Sequence, residues 1–416
     1  MMTPERFTGS FTQQEPIPEE GIAAALAVLR HGRLHRYNTA PGEVAEAALL
    51  EEEFAALTGA KYALAVASGG YALGCALRAV GVRPGEPVLT NAFTLAPVPG
   101  AIAAAGGRPV FVEVTDNLVI DLSHLEAQAR ATGARLLMLS HMRGHICDME
   151  ALVALCDRLG VTVIEDCAHT MGAAWKGVAS GRHGLVACYS TQTYKHANSG
   201  EGGFLISDDA QVMARAIILS GSYMLYSRHR AAPPEEVFAG IRLETPNVSG
   251  RMDNLRAAIL RPQLRTLPER VARWNALYRA LEAGLQGTPC LRLTMRPAEE
   301  SYVASSFQFL LPGWSPTRIG AFLARIGARG VELKWFGAPD PVAFTSRYDH
   351  WAYAPSEPLP QTDRILAGLI DMRLPLTFSV EDVAQIARII RAEVLAVGQA
   401  EEADLVAEAA GVKLAD

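Results

Sequence analysis

Residues 134–166 read ARLLMLSHMRGHICDMEALVALCDRLGVTVIED. RLLMLS and VTVIED are short apolar runs without period-two alternation, the pattern of strands buried on both faces. Between them, Ala151–Leu159 has a helical composition. The same alternation continues upstream. Glu43–Thr58 is rich in Ala, Leu and Glu and reads as a helix stopped by Gly59. YALAVAS (62–68) is a buried strand, followed by glycines and a helix over Leu73–Val80. VRPGEPVLT (82–90) turns into a strand, Pro97–Ala105 is a helix, RPVFVEV (108–114) a strand and Asp121–Ala131 a helix. Strands alternating with helices predict a three-layer α/β domain with a mostly parallel sheet covered on both faces.

The pattern changes after Asp208. A long helix is expected through Asn254–Leu267 and onward to Leu285, then a strand in FQFLL (307–311), a helix over Thr317–Ile326 and a last helix from Val380 to about Val397. This predicts a smaller carboxyl-terminal α+β lobe. The expected division is 1–40, a segment with a helix at Gly21–Arg30 packing on the body or a partner; 41–265, the large domain; 266–398, the small domain; and 399–416, an acidic Ala-rich tail, either helical or disordered.

Half of the 416 residues are apolar and the net charge is −6, with no basic stripe, which argues against nucleic-acid binding. The polar amino terminus lacks a signal-peptide layout, and no 18-residue apolar run exists, so a cytoplasmic protein without membrane spans is expected. Six cysteines without a CxxC pair read as reduced, buried thiols. His141 and His145 have i, i+4 spacing, but the preceding strand and Gly144 put them in a loop, and no metal site is expected.

Three stretches carry chemistry. In VIEDCAHTMGAAWKG (163–177), Asp166 ends a buried strand, where open α/β sheets bind ligands. A buried carboxylate needs a cation or hydrogen bonds, and a protonated pyridine nitrogen is one such partner. In CYSTQTYKHANSGEGGFLISDD (188–209), Ser190 follows a strand, Lys195 lies five residues on, and a glycine turn follows. A lysine attacks an aldehyde only when neutral, which requires desolvation or a neighbouring cation. In AVASGGYALGCAL (65–77), Ser68-Gly69-Gly70 joins a strand to a helix, a place where backbone N–H groups approach a phosphate. Singly, these have ordinary readings: a helix-capping Asp, a surface lysine, a hairpin and a strand–helix turn.

In this order along one α/β chain, they resemble the DegT/StrS-type aminotransferases of fold type I, which use pyridoxal phosphate (PLP) and are best known for aminating keto-sugars on nucleotide carriers. The resemblance runs from about Glu19 to Val397. RHGRL (30–34), VASGG (66–70), GEPVLTNAFTLAP (85–97), RPVFVEV, HMRGHICDMEAL (141–152) and GRMDNLRAAILRPQL (250–264) have counterparts, and the most specific stretch is IEDCAHTMGAAWKG followed by GLVACYSTQTYKHANSGEGG (184–203).

The resemblance implies that Lys195 holds PLP as a Schiff base, Asp166 meets the pyridine nitrogen, Ala168 packs under the ring and His169 lies beside the ring hydroxyl. It implies that Ser190 and the turn Ser68-Gly69-Gly70 bind the phosphate, and that the protein is a homodimer with shared sites. The sequence departs from the family at three places. Gly70 stands where Thr or Ser is usual, Leu95 where an aromatic stacks on the ring (with Phe93 or an aliphatic contact as the substitute), and Ser249 in a cross-dimer motif whose Asn is displaced to Asn247. Arg228, in YMLYSRHR (223–230), together with Arg251, Lys334 and Trp335, is a candidate for substrate binding or for a solvated surface. Asp371-Met372-Arg373 is expected to lead into a strand, with Arg373 binding a carboxylate or pairing with Asp371. The implied reaction moves an amino group from L-glutamate or L-glutamine to a keto-sugar, keto-cyclitol or other carbonyl. A dehydratase is disfavoured by Lys195; a non-catalytic PLP-binding regulator and an α/β protein without cofactor stay open.

Overall fold

The computed structural model describes residues 5–400 and Asp404, so most of the expected tail lies outside the described residues. The large sheet has seven strands: β1 Tyr62–Val66, β2 Pro87–Asn91, β3 Arg108–Val112, β4 Leu136–Ser140, β5 Thr162–Asp166, β6 Val186–Ser190 and β7 Gly203–Ser207. Their order is β1-β7-β6-β5-β4-β2-β3. Strand β7 runs antiparallel to both neighbours, and every other pairing is parallel. Helices cover both faces, which is why β4 and β6 are buried at every position and show no alternation.

Register gathers the strand ends. Ser140 pairs with Asp166 and Asp166 with Cys188, while Val66 and Ser190 both face Gly203. The carboxyl ends of β1, β4, β5 and β6 therefore form one rim, with the start of β7 wedged into it.

The smaller sheet orders its strands as Arg292–Leu293, Ser306–Leu310, Leu369–Arg373 and Lys334–Trp335, all antiparallel. Phe307, Phe309, Ile370 and Met372 enter the main core. The alternate positions Ser306, Gln308, Asp371 and Arg373 share the opposite face. Asp371-Met372-Arg373 is thus the end of a strand, not its approach.

Two other boundaries differ from expectation. The helix after β1 starts at Gly69, four residues early, because the Ser68 hydroxyl accepts from Tyr71 N at 3.0 Å and caps it. The long helix is two, Asn254–Arg265 and Leu267–Leu285, and Pro268 in the first turn of the second has no N–H to continue the first. At the amino end, the helix Glu19–His31 lies along Asn254–Arg265. Arg36 reaches in behind it and makes a doubly bonded, fully buried ion pair with Glu51, both contacts 2.8 Å. Five cysteines are buried and free as expected; Cys290 is exposed.

Candidate active site

The loop between β6 and β7 presents Lys195. Gln192 shapes its turn: its carbonyl accepts from Lys195 N at 2.8 Å and its side chain from Tyr194 N at 3.0 Å. Thr191 N donates to Gly202 O and closes the loop. The Lys195 Nζ atom lies 3.0 Å from His169 Nε2. Burial, then the nearby Arg143 charge, lowers the Lys195 amine to about 7, against the opposing pull of Asp166. Burial and the charges of Lys195 and Arg143 hold His169 well below its ordinary value, so its imidazole is neutral. A lysine in this setting is substantially unprotonated at neutral pH, as a nucleophilic amine must be.

Asp166 ends β5, next to β6. It is 7% exposed, and its carboxylate accepts from Ser140 Oγ at 3.0 Å and from Ala168 N at 3.1 Å. No Lys, Arg or His among the described residues makes an ion pair with it. Behind it, Glu165 is saturated by His141 and the backbone N–H groups of Gly181, His183 and Gly184. A buried carboxylate with two neutral donors has room for a cationic partner.

The Ser68 turn closes the rim. A Cβ on Gly69 would lie 2.8 Å from Ser190 Cβ, so a glycine is needed for the turn to approach Ser190. The N–H groups of Gly69 and Gly70 open an eleven-residue helix whose positive end faces the same place. At Gly70 a Cβ would meet only Pro97, at 3.9 Å, so a larger residue has room there.

The small sheet supplies a charged wall. Lys334 pairs in register with Asp371, and Arg373 follows two residues on, on the same face. Arg143, from the loop after β4, is buried and places its guanidinium 2.8 Å from Asp371 Oδ2. The Arg373 guanidinium lies 3.6 Å from the centroid of the Tyr194 ring. Burial lowers the Lys334 amine to about 8. Arg143 was missed in the sequence. Its only local signal is Gly144 beside it, and its φ of +56° is a left-handed strain that becomes visible in the backbone alone.

Of the residues expected in the site, Lys195, His169, Asp166 and Ala168 are gathered, with Ser190, Ser68, Gly69 and Gly70 on the adjoining rim. Lys334 joins from the small sheet. Trp335 does not join: its indole donates to Ala367 O at 2.8 Å and its ring packs on the core. Arg228 bonds Tyr37 O and lines a separate cleft with Arg36, Thr39 and Arg230. Arg251 bonds Gly221 O at 2.9 Å and stacks on Tyr223, beside Asn247 and Ser249, which are exposed. No hydrogen bond joins that cluster to Lys195, His169 or Asp166 among the described residues. Leu95 is half-buried, whereas Phe93 is 1% exposed and packs edge-on against Phe336, so Phe93 is not free to replace the missing aromatic. His141 and His145 do not face a common point, because one is held by Glu165 and the other by Gln308.

The chain is similar to several known proteins. A putative L-glutamine:3-amino-2,3-dideoxy-scyllo-inosose aminotransferase of Micromonospora echinospora is 31% identical over 291 residues, 68% of this chain and 66% of that protein. A pleiotropic regulatory protein of Geobacillus stearothermophilus is 34% identical over 215 residues, 51% of this chain and 54% of that protein. The chain thus matches under two thirds of the length of either relative. The crystal structure of 3-amino-5-hydroxybenzoic acid synthase superposes with a TM-score of 0.80 at 25% identity, covering 93% of this chain and 99% of the other. The profile of the DegT/DnrJ/EryC1/StrS aminotransferase family matches residues 17–391, and the chain belongs to that family.

Proposed function

We propose that the protein is a pyridoxal-phosphate-dependent aminotransferase that takes an amino group from L-glutamate or L-glutamine and gives it to a keto-sugar or related cyclic ketone. The observation that carries this reading is the pair formed by Asp166, a buried carboxylate with room for a cationic partner, and Lys195, an amine brought to about 7. PLP fits both. Its pyridinium would meet Asp166, and its aldehyde would meet Lys195. Its phosphate would lie on the Gly69 and Gly70 N–H groups beside Ser190. When bound, it supplies an electron sink for a substrate carbanion. The chain supplies the rest. Asp166 keeps a positive charge at its carboxylate, and Ser140 and Ala168 fix the orientation of that carboxylate. Lys195 Nζ, once displaced, receives and returns the substrate proton. His169, neutral and 3.0 Å away, fixes the position of that nitrogen.

The inosose aminotransferase and hydroxybenzoate synthase names support a cyclic acceptor, and the family a homodimer with shared sites. No described helix is long and apolar enough to cross a membrane, which is compatible with a cytoplasmic enzyme. The regulatory relative keeps a second reading in view, a PLP-binding protein without turnover. Addition of L-glutamate or L-glutamine to the cofactor-loaded protein decides between them. Loss of the long-wavelength cofactor absorbance with release of the keto acid supports transamination, and an unchanged spectrum with every donor refutes it. Lys195→Ala should abolish both the absorbance and turnover.

A further inference from the structure

Arg143 and Arg373 stand beside Lys195, Lys334 stands beside those two, and the carboxylate of Asp371 answers all three. Asp371 is fully buried and spoken for: Oδ1 accepts from Gln308 Nε2 at 2.7 Å, and Oδ2 lies 2.8 Å from Arg143. Arg143 is held there with a left-handed backbone, φ +56°. Arg373 and Lys334 make no ion pair with a carboxylate among the described residues. Arg373 lies over Tyr194, the residue bonded to Lys195, and 5.2 Å from the centroid of Phe344. Lys334 Nζ is buried, has no hydrogen-bond partner, and sits 5.6 Å from the Phe344 centroid. Both cations thus lie close to aromatic rings; Arg373 also hydrogen-bonds the Tyr194 side chain, while the Lys334 donors are unused.

A transaminase passes donor and acceptor through the same space in turn. An amino-acid donor brings carboxylate to these cations. A neutral acceptor would then have to enter a pocket in which three cations, Arg143, Arg373 and Lys334, share the one buried carboxylate of Asp371, an arrangement that is costly unless the ligand supplies a further anion. The charges of a nucleotide diphosphate would sit too far from the reacting carbonyl, since Arg373 contacts the side chain next to Lys195 itself. We propose that the acceptor is itself an acid, a ring ketone bearing a carboxylate close to its carbonyl carbon, with Arg373 and Lys334 holding the carboxylate and Tyr194 and Phe344 flanking the ring. This rests on the aminotransferase reading and narrows its acceptor.

The test uses a matched pair of cyclohexanones, one carrying a carboxylate and the other a carboxamide at the same ring carbon. Titration calorimetry on the cofactor-loaded full chain should show the acid binding at least about tenfold more tightly, as charge-assisted hydrogen bonds require. The acceptor half-reaction should favour the acid in the same sense. In Arg373→Gln combined with Lys334→Met, the acid-to-amide ratio should fall to about one. Equal binding of acid and amide by the wild-type protein would overturn the proposal, and that measurement needs no variant to fold. It is also overturned if the double variant loses glutamate binding while keeping the acid-to-amide ratio, since the cluster then serves the donor alone. Failure of the aminotransferase reading looks different: the loaded protein is not aminated by any donor, whatever the two ketones do in the calorimeter.

Discussion

The state of Lys195 in the cofactor-free protein can be measured directly, because the chain has only five lysines: Lys61, Lys176, Lys195, Lys334 and Lys413. An amine at its ordinary value of 10.5 is neutral in about one molecule in 3,000 at pH 7, whereas one at about 7 is neutral in about half. Competitive acylation with a small electrophile, read by mass spectrometry of the Lys195 peptide, reports the neutral fraction. Access to the buried amine scales the absolute rate but not the pH midpoint. The Lys195 rate should climb about tenfold per pH unit up to about 7 and then level off. Lys176 is exposed and bonded to Glu150, which raises its amine, so it should still be climbing at pH 10 and serves as the internal reference. In Arg143→Leu the Lys195 midpoint should move up, because the largest neighbouring cation is gone. A Lys195 profile that rises in parallel with that of Lys176 through pH 9 would refute the burial-and-charge account of its reactivity.

Asp166→Asn keeps an acceptor for Ala168 N and a donor for Ser140 Oγ, so the fold should hold while turnover falls about 100-fold or more, measured by keto-acid release. Gly70→Thr has room at its Cβ, adds a hydroxyl at the helix start and removes an entropically costly glycine; PLP affinity, followed by cofactor fluorescence, should rise. Glu51→Gln leaves Arg36 buried without its charge partner and should cost about 3–5 kcal/mol in urea unfolding. Binding of a keto acid to the cofactor-free protein at pH 8 should take up protons, because a bound carboxylate raises both Lys195 and Lys334 from about 7 and about 8; calorimetry in buffers of different ionisation enthalpy reads the uptake, and none would show that the acid binds elsewhere.

The large sheet was legible because its strands are buried on both faces and its helices have clear stops, so RLLMLS and VTVIED announce themselves. The first turn after β1 was placed late, because Gly69 and Gly70 read as loop until the Ser68 cap converts them into a helix start. Pro268 was a break in plain view, overridden by the helical composition on both sides. The candidate residues of the large domain stand out in the sequence because they lie near strand ends in chain order: Asp166 after a buried run, Ser190 and Lys195 after another. The charged wall was not readable in this way. Arg143, Lys334, Asp371 and Arg373 come from three segments up to 230 positions apart, as 373 − 143 shows, and what joins them is antiparallel register and one strained loop. Arg228 and Trp335 look equally suitable in sequence, but Arg228 points away into the cleft of the amino-terminal segment, and Trp335 alternates off the polar face that Lys334 occupies.

That alternation also explains how the net charge of −6 coexists with a positive site. Many of the acids are spent in ion pairs elsewhere, such as Glu51 with Arg36 and Glu393 with Arg325 and Arg329. Around Lys195 the count is four potential cations, Lys195, Arg143, Arg373 and Lys334, against Asp166 and Asp371. The excess has two consequences that come from one field. It presses the proton off Lys195, which makes the amine reactive, and it leaves Arg373 and Lys334 waiting for an anion. A substitution that removes one cation therefore acts on both: it weakens the hold on an acid and lets Lys195 regain its proton.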